Sequence, residues 1–219
     1  MDHEKYRQEI SVASIALKYA KSNDHYKRGD VIFNSSDTPN GLFFVNRGLI
    51  RLESNSMDGE TCLFRFIRHE EVLGFRAMIS NEPYHVSAVV HEDSHVYFIP
   101  KDCVFKIMSE FPEFLLKMTL ELSVELRKAD MRIESIIHKD AGTRIVEALL
   151  YFKERYPNHI WTRKEIAEWA GTTPETVIRL LAKIENEGAI EQSGRMIKIL
   201  NRKKLLELGQ RTERQELIA

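Results

Sequence analysis

Apolar residues follow two different rhythms along this chain. Between about residues 26 and 100 they come in short runs broken by turn residues. Val31-Ile32-Phe33 is an apolar triplet, and Gly41-Leu42-Phe43-Phe44-Val45 leads into the turn Asn46-Arg47-Gly48. A run at 49–53 follows, and Ser54-Asn55-Ser56-Met57-Asp58-Gly59 turns the chain into a run at 60–68. There Cys62, Phe64 and Phe66 share one face and Leu63, Arg65 and Ile67 the other, which makes Cys62 a small core residue. Runs at 86–90 and 95–99 complete the series, with Pro100 as terminator. Strands at this spacing, with Asp-Gly and Asn-Arg-Gly turns, predict an antiparallel β-barrel or jelly roll.

The period then lengthens. After Pro112 there is neither Gly nor Pro up to His138. Thr119, Leu122, Leu126, Ala129, Ile133 and Ile136 alternate steps of three and four, a heptad seam, with Glu121, Glu125, Arg127, Lys128 and Arg132 off it. Such a stripe serves either an amphipathic helix packed on its own barrel or a seam between two copies. Its length, beyond what one small barrel covers, favours the second. Phe114, Leu115 and Met118 are expected to pack on the barrel.

Beyond the break Asp140-Ala141-Gly142-Thr143, a helix over 144–156 puts Ile145, Ala148, Leu149 and Phe152 on one face, and Pro157-Asn158-His159 ends it. Thr162 followed by Glu165 is a capping-box pair, and Ile166, Trp169 and Ala170 give the helix it starts an apolar face. Gly171 stops that helix; Thr173 caps the next, with Pro174 at its first position. Val177, Leu180, Leu181 and Ile184 form its buried face, and Gly188 ends it. Two short helices across a tight Gly-containing turn make a helix-turn-helix. Residues 189–191 and 196–199 then flank Gln192-Ser193-Gly194-Arg195, a hairpin or wing. Residues 207–219 are polar without clear period and read as a frayed tail.

The second helix exposes Glu175, Thr176, Arg179 and Lys183. In a major groove a carboxylate accepts from cytosine N4, and a guanidinium forks onto guanine O6 and N7. The competing reading of Glu175 and Arg179 is a solvated i,i+4 ion pair, worth about 0.3–0.5 kcal/mol. The helix-turn-helix context favours base reading. Thr162, Arg163, Lys164, Thr173, Thr176, Lys183 and Arg195 are candidates for the DNA backbone.

Charge sharpens this picture. The net charge of −1 hides 18 Lys+Arg against 21 Asp+Glu in residues 1–139, but 14 against 12 in residues 140–219. A basic rear suits an anionic partner. No apolar run approaches the roughly 20 residues of a membrane span, and Met1-Asp2-His3-Glu4-Lys5 leads into a mixed polar helix rather than a secretory signal. Cys62 and Cys103 are the only cysteines, too few and too far apart for a disulfide framework or a cysteine-ligated zinc or iron–sulfur site within one chain. A reducing, cytoplasmic setting follows. His69, His85, His91 and His95 lie in the strand half; a lone His there is more often exposed or hydrogen-bonded than a haem ligand. No Ser-His-Asp order, P-loop, HExxH or GxGxxG occurs, so an enzyme is not expected.

The chain resembles the Crp–Fnr family of bacterial transcription regulators. In front, the likeness rests on Gly29-Asp30-Val31-Ile32-Phe33, on the run from Gly41 to Gly48, and on Glu71-Val72-Leu73-Gly74. In the rear it rests on Thr162-Arg163-Lys164-Glu165-Ile166-Ala167 and Glu175-Thr176-Val177-Ile178-Arg179-Leu180-Leu181. The resemblance implies an α+β chain in three parts. An effector-sensing, cyclic-nucleotide-binding-like barrel spans 1–110, a dimerisation helix 111–139, and a winged helix-turn-helix DNA-binding domain 140–219. By position, Glu175 and Arg179 match the family's base-reading pair, and Thr173, Thr176 and Arg195 its backbone contacts. Pro174 and Ile178 depart from the Arg and Ser of the two founding branches, which leaves the outer half-site bases open.

The effector position diverges further. The cyclic-AMP branch carries Gly-Glu for the ribose, Arg-Ser for the phosphate and Thr-Ser on the long helix. Here Gly74 precedes Phe75 and Arg76, Val86-Ser87 stands for Arg-Ser, and Ala129-Asp130 for Thr-Ser. A buried phosphate without its arginine is an uncompensated charge costing several kcal/mol. Cyclic AMP is therefore not expected, and neither is the oxygen-sensing iron–sulfur cluster; the effector itself is left unassigned. The resulting expectation is a homodimer that reads an inverted repeat in double-stranded DNA, works with RNA polymerase, and touches no membrane. The alternative is a small-ligand receptor whose helix-turn-helix binds a protein.

Overall fold

The computed structural model describes residues 12–157 and 159–216. The expected polar helix after Met1 lies outside the described residues. The described residues form two compact units, with the boundary between residues 127 and 128.

The front unit is a mostly antiparallel β structure with helices at its ends. Its strands are β1 (Ser22–Tyr26), β2 (Val31–Phe33), β3 (Gly41–Asn55), β4 (Thr61–Arg68), β5 (Val72–Leu73) and β6 (Ser87–Pro100). Helices α1 (Val12–Tyr19), α2 (Phe75–Ser80) and α3 (Lys101–Glu110) accompany them. The sheet runs in the order β1-β6-β3-β4, with β2 also on β6 and β5 also on β3. It is an open, jelly-roll-like antiparallel sheet rather than a closed barrel.

Residues 41–45 are all buried because this strand is covered on both faces. Leu42 and Phe44 join Ile15, Phe75, Met78, Ile99, Val104, Ile107, Phe114 and Met118 under the helices. Phe43 and Val45 face the other core, with Phe33, Ile50, Ile67, Tyr84, Val86, Ala88 and Val96.

Several expectations are corrected here. Asn46-Arg47-Gly48 is no turn between strands: β3 runs straight through it for 15 residues. The irregularity is absorbed as register shifts against β6 at 45–50, with Gly48 at φ 103°. The runs at 86–90 and 95–99 likewise merge into one 14-residue strand. Cys62 is exposed. An extra residue at Phe64 interrupts the β3–β4 pairing between Leu52 opposite Arg65 and Glu53 opposite Leu63, which breaks the expected alternation. Leu63, Phe66 and Ile67 are buried while Phe64 is exposed. Of the three residues expected to face the sheet from the long helix, Phe114 and Met118 are buried and Leu115 is exposed.

The long helix α4 (Pro112–His138) has 27 residues, and the boundary between the units falls inside it. The rear unit continues with α5 (Ala141–Arg155), α6 (Arg163–Ala170), α7 (Pro174–Asn186), β7 (Ile190–Ser193), β8 (Met196–Ile199) and α8 (Arg202–Glu216). Its core is aromatic at one end: Phe152 stacks on Trp161 with centroids 4.0 Å apart, and Tyr151 on Trp169 at 4.9 Å. The segment expected as a frayed tail begins inside α8. There Leu205 and Leu208 are buried and Gly209 lies against Val146, so the last elements close the core of the rear unit. Among the described residues no helix is long and apolar enough to cross a membrane.

Candidate nucleic-acid interface and effector face

The helix-turn-helix forms as its sequence predicts. Thr162 and Glu165 make the complete capping box, Thr162 Oγ1 accepting the Glu165 N–H at 3.2 Å and Glu165 Oε2 accepting the Thr162 N–H at 2.7 Å. Gly171 ends α6 in the left-handed region at φ 62°. Thr173 Oγ1 accepts the Thr176 N–H at 3.3 Å to start α7, with Pro174 in its first turn. Val177, Leu180, Leu181 and Ile184 are buried, which turns the opposite side of α7 to solvent.

Glu175, Arg179 and Lys183 are exposed on that side. Glu175 and Arg179 stand one turn apart there, with no ion pair between them among the described residues. Thr176 is half-buried, and its hydroxyl lies 3.2 Å from that of Thr173. The remaining candidates differ in what already occupies them. The Thr162 hydroxyl donates to Glu165 Oε2 at 2.9 Å, and Lys164 lies 3.8 Å from the buried Glu168 carboxylate. Arg163 turns toward the wing, where β7 and β8 pair around Gly194-Arg195, with Gly194 at φ 58°. Arg195 is exposed at that tip.

Two arginines, which sequence periodicity could not single out, hold the carbonyl end of α6. Arg132, from α4, donates to the Trp169 carbonyl at 2.9 Å and lies 4.8 Å over the Trp169 ring. Arg144 donates to Ala170 O at 2.8 Å, Gly171 O at 3.2 Å and Lys139 O at 2.6 Å. Carbonyls left over at a helix end are thereby satisfied by cations, the favourable sign at that end of the helix dipole.

At the front, Gly74 takes φ 93° ahead of α2, Phe75 and Val86 are buried, and Ser87 Oγ accepts the Ser35 N–H at 2.9 Å. Arg76 does not reach inward; its Nη2 lies 2.8 Å from His85 Nδ1. Burial, and then the neighbouring Arg65 charge, push the Arg76 pKa down, with Glu125 opposing them. Arg65 itself pairs with Glu125 at 2.6 Å. Burial and then Arg76 push the His85 pKa down. Tyr84 stacks on Phe33 at 3.7 Å; burial, and then Asp37, raise its pKa to about 12. Its buried hydroxyl has no partner among the described residues. Ala129 and Asp130 are exposed on α4. Of the other histidines, His69 Nδ1 lies 2.8 Å from the Asn46 carbonyl, and His95 stacks on His25 at 4.4 Å. His91 is buried beside Phe66.

Known proteins share this arrangement. Residues 23–111 match the cyclic nucleotide-binding domain and residues 143–208 the Crp-like helix-turn-helix domain. The global nitrogen regulator of Synechococcus elongatus is 26% identical over 191 residues, covering 81% of this chain and 85% of that protein. The transcriptional activator protein FnrA of Stutzerimonas stutzeri is 26% identical over 184 residues, covering 80% and 75%. A solved CRP/FNR-family regulator from Thermus thermophilus aligns with a TM-score of 0.73 at 26% identity, over 86% of this chain and 98% of that one. The chain belongs to the Crp–Fnr family of transcription regulators. Its rear unit carries the DNA-binding helix-turn-helix, and it is a regulator rather than an enzyme.

Proposed function

We infer that the protein is a homodimeric regulator that reads an inverted-repeat DNA site through α7 and answers to an effector other than cyclic AMP. The observation that carries the DNA reading is the solvent side of α7, where Glu175 and Arg179 stand exposed one turn apart and unengaged with each other. Arg179 then forks onto a guanine, and Glu175 takes the amino group of the cytosine. Thr173, Thr176, Lys183 and Arg195 supply phosphate contacts, and Thr162 and Lys164 border them. The second copy is recruited along Thr119, Leu122, Leu126, Ala129, Ile133 and Ile136, all exposed in the single chain. In the cell such a DNA-bound dimer acts on RNA polymerase.

The effector face is placed at Gly74, Phe75, Arg76, Val86 and Ser87. Val86 is buried where a phosphate would need a cation, and Arg76 is turned to His85 instead. Calorimetry is expected to detect no binding of cyclic AMP or cyclic GMP below about 100 µM, the range of a site lacking its charged anchor. A micromolar dissociation constant for either would overturn this part. Random-sequence selection followed by a salt titration tests the DNA part: an inverted repeat should emerge, with affinity falling steeply as salt rises. Protein that selects no sequence and shows no salt slope would overturn it.

A further inference from the structure

The wing is held by more than its own strands. Glu185, in the last turns of α7, accepts the backbone N–H of Gln192 at 2.6 Å and its side-chain Nε2 at 2.9 Å. Oε1 of the same amide accepts Arg163 Nη2 at 2.6 Å. Arg163, the first residue of α6, sends Nη1 to the carbonyl of Arg195 at 3.1 Å. The relay runs from α7 through β7 to the start of α6 and ends on the wing tip itself.

Each link fixes the next. A primary amide has one acceptor oxygen and one donor nitrogen, so Gln192 can satisfy a carboxylate on one side and a guanidinium on the other in one orientation only. Turned over, it would set oxygen against carboxylate and N–H against N–H. Two-stranded hairpins are marginal on their own, and each strand here has four residues. The position of the tip is therefore decided by its attachments rather than by the ladder.

We propose that Arg163, Gln192 and Glu185 are positioning residues for DNA recognition. They hold the wing tip against the helix-turn-helix so that Arg195 meets a phosphate while α7 lies in the major groove. Arg163 spends its guanidinium on the wing and takes no phosphate. This rests on the DNA-binding reading above.

The test is a salt titration on the full-length protein with its selected site, using Arg163→Ala, Arg195→Ala, the double variant, and Glu185→Gln. Arg195→Ala should lower the salt slope by about one. Arg163→Ala should weaken binding by about 2- to 10-fold, the effect of freeing one ordered side chain. The double variant should have the slope of Arg195→Ala alone, because Arg163 acts through that tip. Glu185→Gln removes a negative charge, so field effects alone would tighten DNA binding; loss of the clamp should weaken it instead. In Arg163→Ala the base preference opposite Arg179 should persist, which a collapsed helix-turn-helix would not preserve. Slopes that fall by about one for each arginine and add in the double variant would make Arg163 a phosphate contact and overturn the proposal. Tighter binding by Glu185→Gln would overturn it too. Absence of salt-dependent binding by the unaltered protein would remove the DNA reading and this inference with it.

Discussion

If Arg179 reads a base, the relevant energy is that of a single hydrogen-bonded fork. Its side chain is exposed on α7, with Glu175 one turn before it. Arg179→Ala should cost about 1–3 kcal/mol of binding and relax preference at one base pair, where Arg195→Ala should weaken all sequences alike. Random-sequence selection with each variant separates the two; equal loss on every sequence for Arg179→Ala would make it a phosphate contact. The histidines of the front unit add a pH dependence. Burial pushes the pKa of His85 and His95 down, with the Arg76 charge as the second cause at His85 and His25 at His95. Folding thus favours their neutral forms, and that stability is present above the unfolded value, about 6.5. It is lost as pH falls from there through the lower folded values. The thermal midpoint should drop on acidification below about pH 6.5, and His85→Gln, which keeps an acceptor for Arg76, should flatten the drop. A midpoint that rises on acidification would contradict the assignment.

Elements differ in how openly their residues announce them. The helix-turn-helix was legible almost residue by residue, because caps, Pro174 and Gly171 act within one turn of the chain and need no distant partner. The long helix was legible too, from its unbroken period after Pro112. Strand pairing is decided elsewhere in the chain, and there the pattern misled. Asn46-Arg47-Gly48 has turn composition, yet β6 pairs on either side of it and converts the turn into a bulge. Cys62 alternates with Phe66 on paper, but the extra residue at Phe64 changes the faces between them. Arg163 shows the same limit in a side chain: its type suits a phosphate, and only the fold brings Gln192 within 2.6 Å. The bulge yields its own prediction. A Cβ at Gly48 would lie 2.1 Å from Ser94 Oγ and 2.6 Å from Ser94 Cα, at φ 103°. Gly59 has a positive φ as well, but nothing within 4 Å of such a Cβ. Gly59→Ala should therefore cost only the backbone strain, about 1 kcal/mol. Gly48→Ala should cost clearly more, since backbone must move. Thermal denaturation of the two variants side by side checks this; equal midpoints would mean that the bulge yields freely.

In the whole molecule, α4 supplies residues to both units and still leaves an apolar stripe in water. Leu126 is 65% exposed, Ile133 57% and Ile136 52% in the single chain. An apolar stripe of this length on a helix is a site for association rather than ordinary surface. Its heptad spacing suits a parallel pair of helices, each seam residue meeting its own copy across a two-fold axis. In the proposed dimer, a two-fold pair of α7 helices entering successive major grooves, roughly 34 Å apart, would require half-sites in inverted repeat with that spacing. If α4 is the seam, Leu126→Lys sets two ammonium groups against each other there, and sedimentation should find a monomer at micromolar concentration where the unaltered protein should be a dimer. The monomer keeps α7 and the wing, so it should still bind a single half-site weakly and with the same base preference. It should lose the steep dependence on half-site spacing that a rigid pair imposes. Changing the spacing by half a turn makes this decisive: affinity should collapse for the dimer and stay level for Leu126→Lys. A dimer that persists in the variant, or an unaltered protein that sediments as a monomer, would remove α4 as the seam and the fixed half-site spacing along with it.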